Sequence, residues 1–167
     1  RLRESLEVTC FIAVMGNKGP TIVRFEEPGL PVTVNVRVGS VLPLLWSATG
    51  QAFLAYLDER AVQAMAQDEF ANASKEQRAS LAPKEPVEAI RKAVRKAGCA
   101  SVRDLNLRGI SAVSAPLHDH TGRVCAVLTA LGATGGFDAS VDGAIAKAVR
   151  HEAGAISRGL GYSEPAP

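Results

Sequence analysis

The sequence lacks long apolar runs and paired cysteine motifs. Its three cysteines, Cys10, Cys99 and Cys125, stand singly within apolar stretches, so they indicate neither a disulfide framework nor a zinc site and favour a reducing, cytoplasmic setting. No stretch approaches the roughly 18 consecutive apolar residues of a membrane span, and the opening RLRESLEV lacks the apolar core of a signal peptide. We therefore expect a protein with no membrane partner.

Net charge is also nearly absent. The chain has 19 basic and 17 acidic residues, which leaves a net charge of +2, and this balance argues against nucleic-acid binding by the chain itself. Its 167 residues, 47% of them apolar, predict one domain with a core that needs no disulfide or metal. The chain starts at Arg1 in a helix-like pattern, so we expect it to be a piece of a longer protein.

What the sequence does contain is an ordered series of strand and helix patterns. Alternating apolar residues predict a hairpin over residues 8–27, a third strand at TVNVRV, and three later strands at CASVRDLNL, GISAVSAPLHD and RVCAVLTALG. Helical patterns predict four helices: residues 47–57, a segment capped by Asp58, residues 86–97, and a long helix from about Asp138 to Gly159. The apolar face of the long helix includes Val141. Residues 72–85 predict a surface connection. This order predicts an α+β fold with a mostly antiparallel sheet.

The most informative segment is the start of the helix near residue 47. Ser47 is a suitable N-cap, and Ala48, Thr49 and Gly50 would then present backbone N–H groups that have no intrahelical partner. Such a helix start binds anions, and small side chains let a carboxylate approach the backbone. The alternative is that the small residues only allow tight helix packing. The neighbouring apolar residues that would hold the rest of a ligand are Leu42, Leu44, Leu45 and Trp46.

Three blocks of this sequence together resemble one protein family. The blocks are VGSVLPLLWSATGQAFLA, IRKAVRKAGCASVRDLNLRGISAVSAPLHDHTGRVCAVLTALG and AISRGLGY. In this order and spacing they resemble the effector-binding domain of the IclR family of bacterial transcriptional regulators. The likeness covers essentially the whole chain.

The resemblance implies a GAF-like fold, in which helices flank a curved, mostly antiparallel sheet. It divides the chain into the end of a linker helix (residues 1–7), an effector-binding domain (8–162) and a C-terminal tail (163–167). It also implies that a winged helix-turn-helix domain, absent here, binds DNA, that the protein is a homodimer or homotetramer, and that the chain has no enzymatic activity.

The resemblance further implies a pocket for a small organic acid between the sheet and the first helix. Together with the small-residue helix start, it gives the candidate ligand-binding residues Val34, Leu42, Trp46, Ala48, Thr49, Gly50, Val102, Ile110, Ala112, Thr129 and Leu131. No catalytic residue, metal ligand or cofactor is predicted.

Two positions depart from relatives that bind short, polar oxo-acids, and a third departs from many members of the family. Val102, followed by Arg103, stands where such relatives have an acidic residue, and Leu131 replaces a hydroxyl. These changes predict a more apolar pocket that favours an aromatic or longer-chain carboxylate. Gln51 stands where many members have Lys, which leaves the anion more dependent on backbone amides.

Other chemistry-bearing residues have plainer interpretations. His118, His120 and Cys125 lie near one turn but lack the spacing of a tetrahedral metal site, so we expect solvated histidines. Ser111 and Ser114 have no GxSxG turn around them and are not expected to be nucleophiles. All three cysteines are expected to be small buried hydrophobes. The basic residues Arg91, Lys92, Arg95 and Lys96 fit a solvated helix face better than a nucleic-acid contact.

Two other classes of function remain open from the sequence. One is a GAF-like sensor or interaction module of another signalling protein. The other is a small enzyme acting on a carboxylate, which the absence of an acid, base and nucleophile set disfavours.

Overall fold

A five-stranded antiparallel sheet forms the centre of the molecule. The computed structural model describes residues 8–27 and 36–167. The strand order is β2-β1-β5-β4-β3, and every neighbouring pair is antiparallel. This confirms the predicted α+β class. The strands are β1 (Thr9–Gly16), β2 (Gly19–Glu26), β3 (Ala100–Arg103), β4 (Ile110–His118) and β5 (Val124–Ala133).

Helices cover both faces of this sheet. The first and fourth helices pack together against one face, and the fifth packs against β4 and β5 on the other. Side chains alternate between these two layers along each strand, which gives two buried apolar clusters, one on each side of the sheet. The helices are α1 (Ala48–Tyr56), α2 (Arg60–Ala71), α3 (Lys75–Ala79), α4 (Pro86–Ala97) and α5 (Ala144–Gly159).

Local sequence signals explain α4 well. Pro86 occupies the start of the helix, where its missing N–H costs nothing, and Gly98 ends the helix in the left-handed region at φ 73°. Between them Ile90 and Val94 form the buried stripe. The predicted bounds are confirmed.

Helix α5 is shorter than predicted. It begins at Ala144 rather than near Asp138, because Asp138 accepts a hydrogen bond from the Ser140 amide (3.0 Å) and holds the chain in a turn. Val141 therefore lies before the helix and is 37% exposed. The buried face of α5 is made by Ala146, Val149, Ala153 and Ser157.

Several predicted boundaries need correction. Asp58 does not cap α2, whose N-cap is Glu59; instead Asp58 pairs with Arg91. The connection over residues 72–85 contains α3, which begins with a capping box formed by Ser74 and Gln77. The strand predicted at CASVRDLNL ends at Arg103.

The predicted strand TVNVRV and the predicted linker helix lie partly or wholly outside the described residues. Residues 1–7 and 33–35 are not described, and residues 36–38 are not part of a strand. Within residues 8–27 and 36–167, no helix has both the length and the apolar character needed to cross a membrane.

Candidate ligand-binding site

The loop before α1 is closed by a hydrogen-bonded cap. The Oγ of Ser47 accepts from the Gly50 amide at 2.9 Å and donates to the Pro43 carbonyl at 2.6 Å. The predicted N-cap is therefore present. Because Ser47 already satisfies the amide of Gly50, only two amides of the first turn are left for a ligand.

Those two amides belong to Ala48 and Thr49, the first two residues of α1. An α-helix provides no acceptor for them, and the hydrogen bonds among the described residues provide none either. Both residues line a cavity. The positive end of the α1 dipole and two unpaired donors therefore meet at the same surface, which is the physical requirement for holding a small anion.

The cavity lies between α1 and the sheet. Its volume within reach of the centre of a water molecule is about 40 Å³, so the cavity is narrow along its whole length. The described residues that line it are Phe11, Val36, Leu42, Ser47, Ala48, Thr49, Val102, Asn106, Leu107, Ile110, Ala112, Thr129 and Leu131.

None of these described lining residues carries a charge. Arg37, Arg103 and Arg108, which each adjoin a lining residue in the sequence, are exposed and do not line the cavity. The polar groups available are three hydroxyls, the Asn106 amide and the two backbone N–H groups. A bound anion would therefore be held by dipoles in an apolar surrounding rather than by an ion pair.

Eight of the eleven candidate residues come together along this cavity. That they bind a ligand stays a prediction. Val34 lies outside the described residues, and Trp46 and Gly50 are absent from the lining. The eight are Leu42, Ala48, Thr49, Val102, Ile110, Ala112, Thr129 and Leu131.

Trp46 and Gly50 have structural surroundings instead. The indole Nε1 of Trp46 donates to the Gln77 carbonyl at 2.9 Å and to Ser80 Oγ at 3.1 Å, so the side chain points towards α3. Gly50 lies against the loop: a Cβ there would stand 2.2 Å from the Pro43 carbonyl oxygen. Gly50 is therefore a small residue that allows tight packing, which was the alternative interpretation of this segment. Ala48 and Thr49, in contrast, line the cavity.

Five lining residues were not among the candidates. Phe11 reaches the cavity because β1 pairs with β5 in a register that places Phe11 opposite Thr129. Asn106 and Leu107 belong to the β3–β4 connection, which the sequence pattern assigned to a strand. Ser47 could have been predicted to line the cavity, because its role as N-cap placed it at the start of the helix. The fifth is Val36.

A carboxylate from α2 fixes the loop that leads into the site. The two oxygens of Glu69 accept hydrogen bonds from the amides of Leu44 and Leu45, each at 2.8 Å. These two bonds satisfy backbone donors that a loop otherwise leaves unpaired. Gln51 adds a third restraint, because its Nε2 donates to the Leu45 carbonyl at 2.9 Å. Gln51 therefore supports the loop from within the core.

Three buried hydroxyls connect α1 to the sheet beneath the cavity. Thr49 Oγ1 lies 2.7 Å from Thr129 Oγ1, which lies 2.6 Å from Ser114 Oγ. All three residues are at most 1% exposed. Ser114 is therefore part of a hydrogen-bonded chain and has no base beside it, as expected for a residue that is not a nucleophile.

Two of the four residues of the basic face of α4 make contacts within the chain, while Lys92 and Lys96 are exposed. Arg91 pairs with Asp58, and Arg95 Nε donates to the Ala55 carbonyl at 2.6 Å. The Arg95 guanidinium also lies 5.8 Å from the centre of the Tyr56 ring. Burial raises the pKa of Tyr56, while Arg95 opposes that shift. These contacts favour a structural role for this face.

The turn histidines and the cysteines show two corrections. His118 ends β4 and is half-buried, stacked on Tyr162 with ring centres 4.6 Å apart, so it is not the solvated turn residue that was expected, whereas His120 is exposed. Among the described residues no three His, Cys, Asp or Glu side chains are grouped to hold a metal ion. Cys10 and Cys99 are buried as expected, but Cys125 is exposed, so the expectation that all three are buried was wrong. The register of β4 and β5 shifts between Leu117 and His118 near this end of β5, and Cys125 is exposed between the buried Val124 and Ala126.

A larger groove lies between α5 and the C-terminal segment. It offers about 490 Å³ to the centre of a water molecule, and Tyr56, His118, Arg150 and Tyr162 are among its lining residues. Arg150 is engaged there by the Val141 carbonyl at 2.8 Å. None of the candidate ligand-binding residues lines this groove.

The fold and the cavity define an α+β ligand-binding domain, and comparison with known proteins gives its family. Residues 1–158 match the family model "Bacterial transcriptional regulator IclR C-terminal". The chain therefore belongs to the IclR family of bacterial transcriptional regulators, as its C-terminal, effector-binding domain. This is a family of regulators and not of enzymes.

Solved structures show the same fold. HmgR of Pseudomonas aeruginosa is 38% identical, with a TM-score of 0.86, over 98% of this chain and 64% of that one. IclR of Thermotoga maritima is 21% identical (TM-score 0.76, 96% of this chain and 64% of that one), and the repressor BlcR of Agobacterium tumefaciens is 20% identical (TM-score 0.78, 97% and 64%). The chain thus spans 64% of the length of each of these proteins. No curated protein matches the chain at a significant level.

Proposed function

We propose that this chain senses a small, largely apolar organic acid and thereby controls DNA binding by a helix-turn-helix domain elsewhere in the whole protein. The observation that carries the proposal is the pair of unpaired amides at Ala48 and Thr49, at the floor of a cavity whose described lining is uncharged. The carboxylate would accept from these amides. A regulator of this kind acts in the cytoplasm.

The wall of the cavity supports an aromatic or longer-chain acid over a short oxo-acid. Phe11, Val102, Ile110 and Leu131 offer apolar surface beside the amides, and Leu131 is only 5% exposed. Each buried CH₂ group of a ligand adds about 0.8 kcal/mol of favourable transfer free energy, which a two-carbon acid cannot gain.

A thermal-shift screen tests this proposal with glyoxylate, pyruvate, benzoate and phenylacetate. A ligand at one hundred times its Kd adds about 2.7 kcal/mol, which is about 5 to 10 °C in Tm for a chain of this size. We expect benzoate or phenylacetate to give such a shift. A shift with glyoxylate and pyruvate only would refute the apolar preference, and a flat response to all four acids would count against acid sensing.

A matched pair of variants locates the binding site. Ile110→Ser places a hydroxyl at the cavity wall, whereas Val23→Ser makes the same kind of change on β2, where Val23 is 47% exposed. We expect Ile110→Ser to reduce the shift given by the aromatic acids and Val23→Ser to leave it unchanged. Equal responses of the two variants would place the acid somewhere else.

Control of DNA binding would work through the assembly. We propose a homodimer or homotetramer in which the acid favours one arrangement of subunits, and so one spacing of the DNA-binding domains. The chain alone should bind no operator DNA, and the coding sequence upstream of Arg1 should encode a helix-turn-helix pattern. Sedimentation with and without acid tests the assembly, and a salt-sensitive, sequence-specific gel shift with the chain alone would contradict the proposal.

A further inference from the structure

The hydroxyls of Thr49, Thr129 and Ser114 form a chain whose direction can be worked out. Each hydroxyl has one proton to donate, and Thr129 lies in the middle, 2.7 Å from Thr49 and 2.6 Å from Ser114. Ser114 is 0% exposed and does not line the cavity, while Thr49 does. The two ends of the chain therefore differ: one is sealed in the sheet and the other faces the ligand site.

Hydrogen-bond counting and cooperativity favour one direction. Among the described residues, Thr129 Oγ1 is the one hydrogen-bond partner of the Ser114 hydroxyl, so Ser114 donates to Thr129. The reverse direction would leave the Ser114 proton buried without an acceptor, which costs the desolvation of that group. Thr129 also lines the cavity, but a hydroxyl that accepts one hydrogen bond is a stronger donor of the next, so Thr129 donates to Thr49 rather than accepting from both neighbours. The proton of Thr49 then has no acceptor among the described residues.

We propose that Thr49 is a fixed hydrogen-bond donor to the ligand, and that Ser114 is a positioning residue that sets this polarity through Thr129. The consequence is selection of a carboxylate over the corresponding carboxamide. This inference rests on the proposed function, because it needs the acid to sit at the start of α1.

The chemistry of the two groups explains the selection. A carboxylate has two acceptor oxygens, so one can accept from the backbone amides of Ala48 and Thr49 and the other from the Thr49 hydroxyl. A carboxamide that places its carbonyl oxygen at the amides turns its NH₂ group towards Thr49. Two donors then face each other, and Thr49 can turn its proton back to Thr129 only if the Thr129 proton loses its acceptor and the cooperative chain is broken.

The test compares acids with their own amides. Benzoate, phenylacetate and 3-phenylpropanoate, each paired with its carboxamide, are titrated by calorimetry into the wild type, Thr49→Val, Thr49→Ser and Ser114→Ala. Thr9→Val is the matched control: Thr9 is a 2% exposed threonine on β1 whose hydroxyl has no partner among the described residues and which does not line the cavity.

The measured quantity is the ratio of amide Kd to acid Kd in each protein, so that a general loss of stability cancels. We expect Thr49→Val to lower this ratio about tenfold or more and Ser114→Ala to lower it about threefold or more, as expected for loss of a charge-assisted bond and of its polarity. Thr49→Ser, which keeps the hydroxyl, and Thr9→Val should stay within about twofold of the wild type.

Two failures are distinguishable. If at least one acid binds the wild type and neither Thr49→Val nor Ser114→Ala changes the ratio, the hydroxyl polarity is wrong while acid sensing survives. If none of the three acids binds the wild type, the proposed preference for apolar acids fails and this inference fails with it.

Discussion

Replacing Gly50 by Ala tests how closely α1 approaches the loop before it. A Cβ at residue 50 would stand 2.2 Å from the Pro43 carbonyl oxygen, 2.4 Å from Leu44 Cα and 2.6 Å from the Leu44 oxygen. These distances fall about 1 Å or more short of ordinary contact at roughly 3.5 Å. All three atoms belong to the backbone, so no change of side-chain rotamer relieves the clash and the helix must move away from the loop.

The magnitude follows from two opposing effects. Alanine is favoured over glycine within a helix by about 1 kcal/mol. Against this, overpacking costs about 1 to 3 kcal/mol, and a displaced helix start also loses the Ser47 cap, worth about 1 kcal/mol. Because all of α1 from Ala48 to Ala55 is buried, the helix has no free side towards which it can relax. We expect Gly50→Ala to lower the free energy of unfolding by about 2 kcal/mol, or about 4 to 8 °C in Tm.

Urea denaturation followed by circular dichroism measures this, with Gly154→Ala as the matched control. Gly154 also lies within a helix, α5, but its added Cβ meets only the flexible end of Arg158, at 3.3 Å. There the helix preference should prevail, and the protein should be up to about 1 kcal/mol more stable. If Gly50→Ala were as stable as Gly154→Ala, the close approach of α1 to the loop would be refuted.

Two further predictions concern groups outside the cavity. Glu69→Gln removes one of the two carboxylate bonds to the loop amides, so it should lower the free energy of unfolding, measured by urea denaturation, by about 1 to 3 kcal/mol and weaken acid binding. An unchanged urea midpoint would show that the loop conformation does not depend on Glu69. A thiol reagent should modify only the exposed Cys125 in the native protein, and Cys10 and Cys99 only after unfolding. Burial and the Asp119 carboxylate raise the pKa of Cys125, so a smaller fraction of this thiol is ionised at pH 8. The reagent should therefore modify Cys125 more slowly than a free thiol, and more quickly in Asp119→Asn. A rate equal to that of the free thiol would contradict this.

Features that depend on neighbouring residues were predictable from the sequence. The Ser47 cap, the Pro86 start and the Gly98 end of α4 each depend on the preference of one residue type for one backbone position, so the bounds of α1 and α4 followed. The alternation of apolar residues gave β1, β2, β4 and β5 and therefore the class of the fold.

Features that depend on distant contacts were not predictable. Glu69 meets amides about 25 positions earlier in the chain, and nothing in its own surroundings in the sequence marks it as a loop support. Phe11 enters the cavity only through the register of β1 against β5. Cys125 was assigned to the core because its neighbours are apolar, yet it lies near a register shift at the end of the sheet. The resemblance to known regulators supplied the pocket position for the same reason: it carries tertiary information that one sequence does not.

The position of Trp46 has a practical consequence. It is the one tryptophan in the sequence; it is 3% exposed, adjoins the cavity-lining Ser47, and its indole N–H is bonded to the α3 segment. A loop movement on ligand binding that breaks this hydrogen bond would expose the indole N–H to water. The fluorescence emission of an indole depends on whether its N–H is buried or hydrated, so such a movement would change the emission of Trp46. Trp46 is thus a built-in fluorescence probe of the loop before α1, which can be read in this chain without a dye or a label.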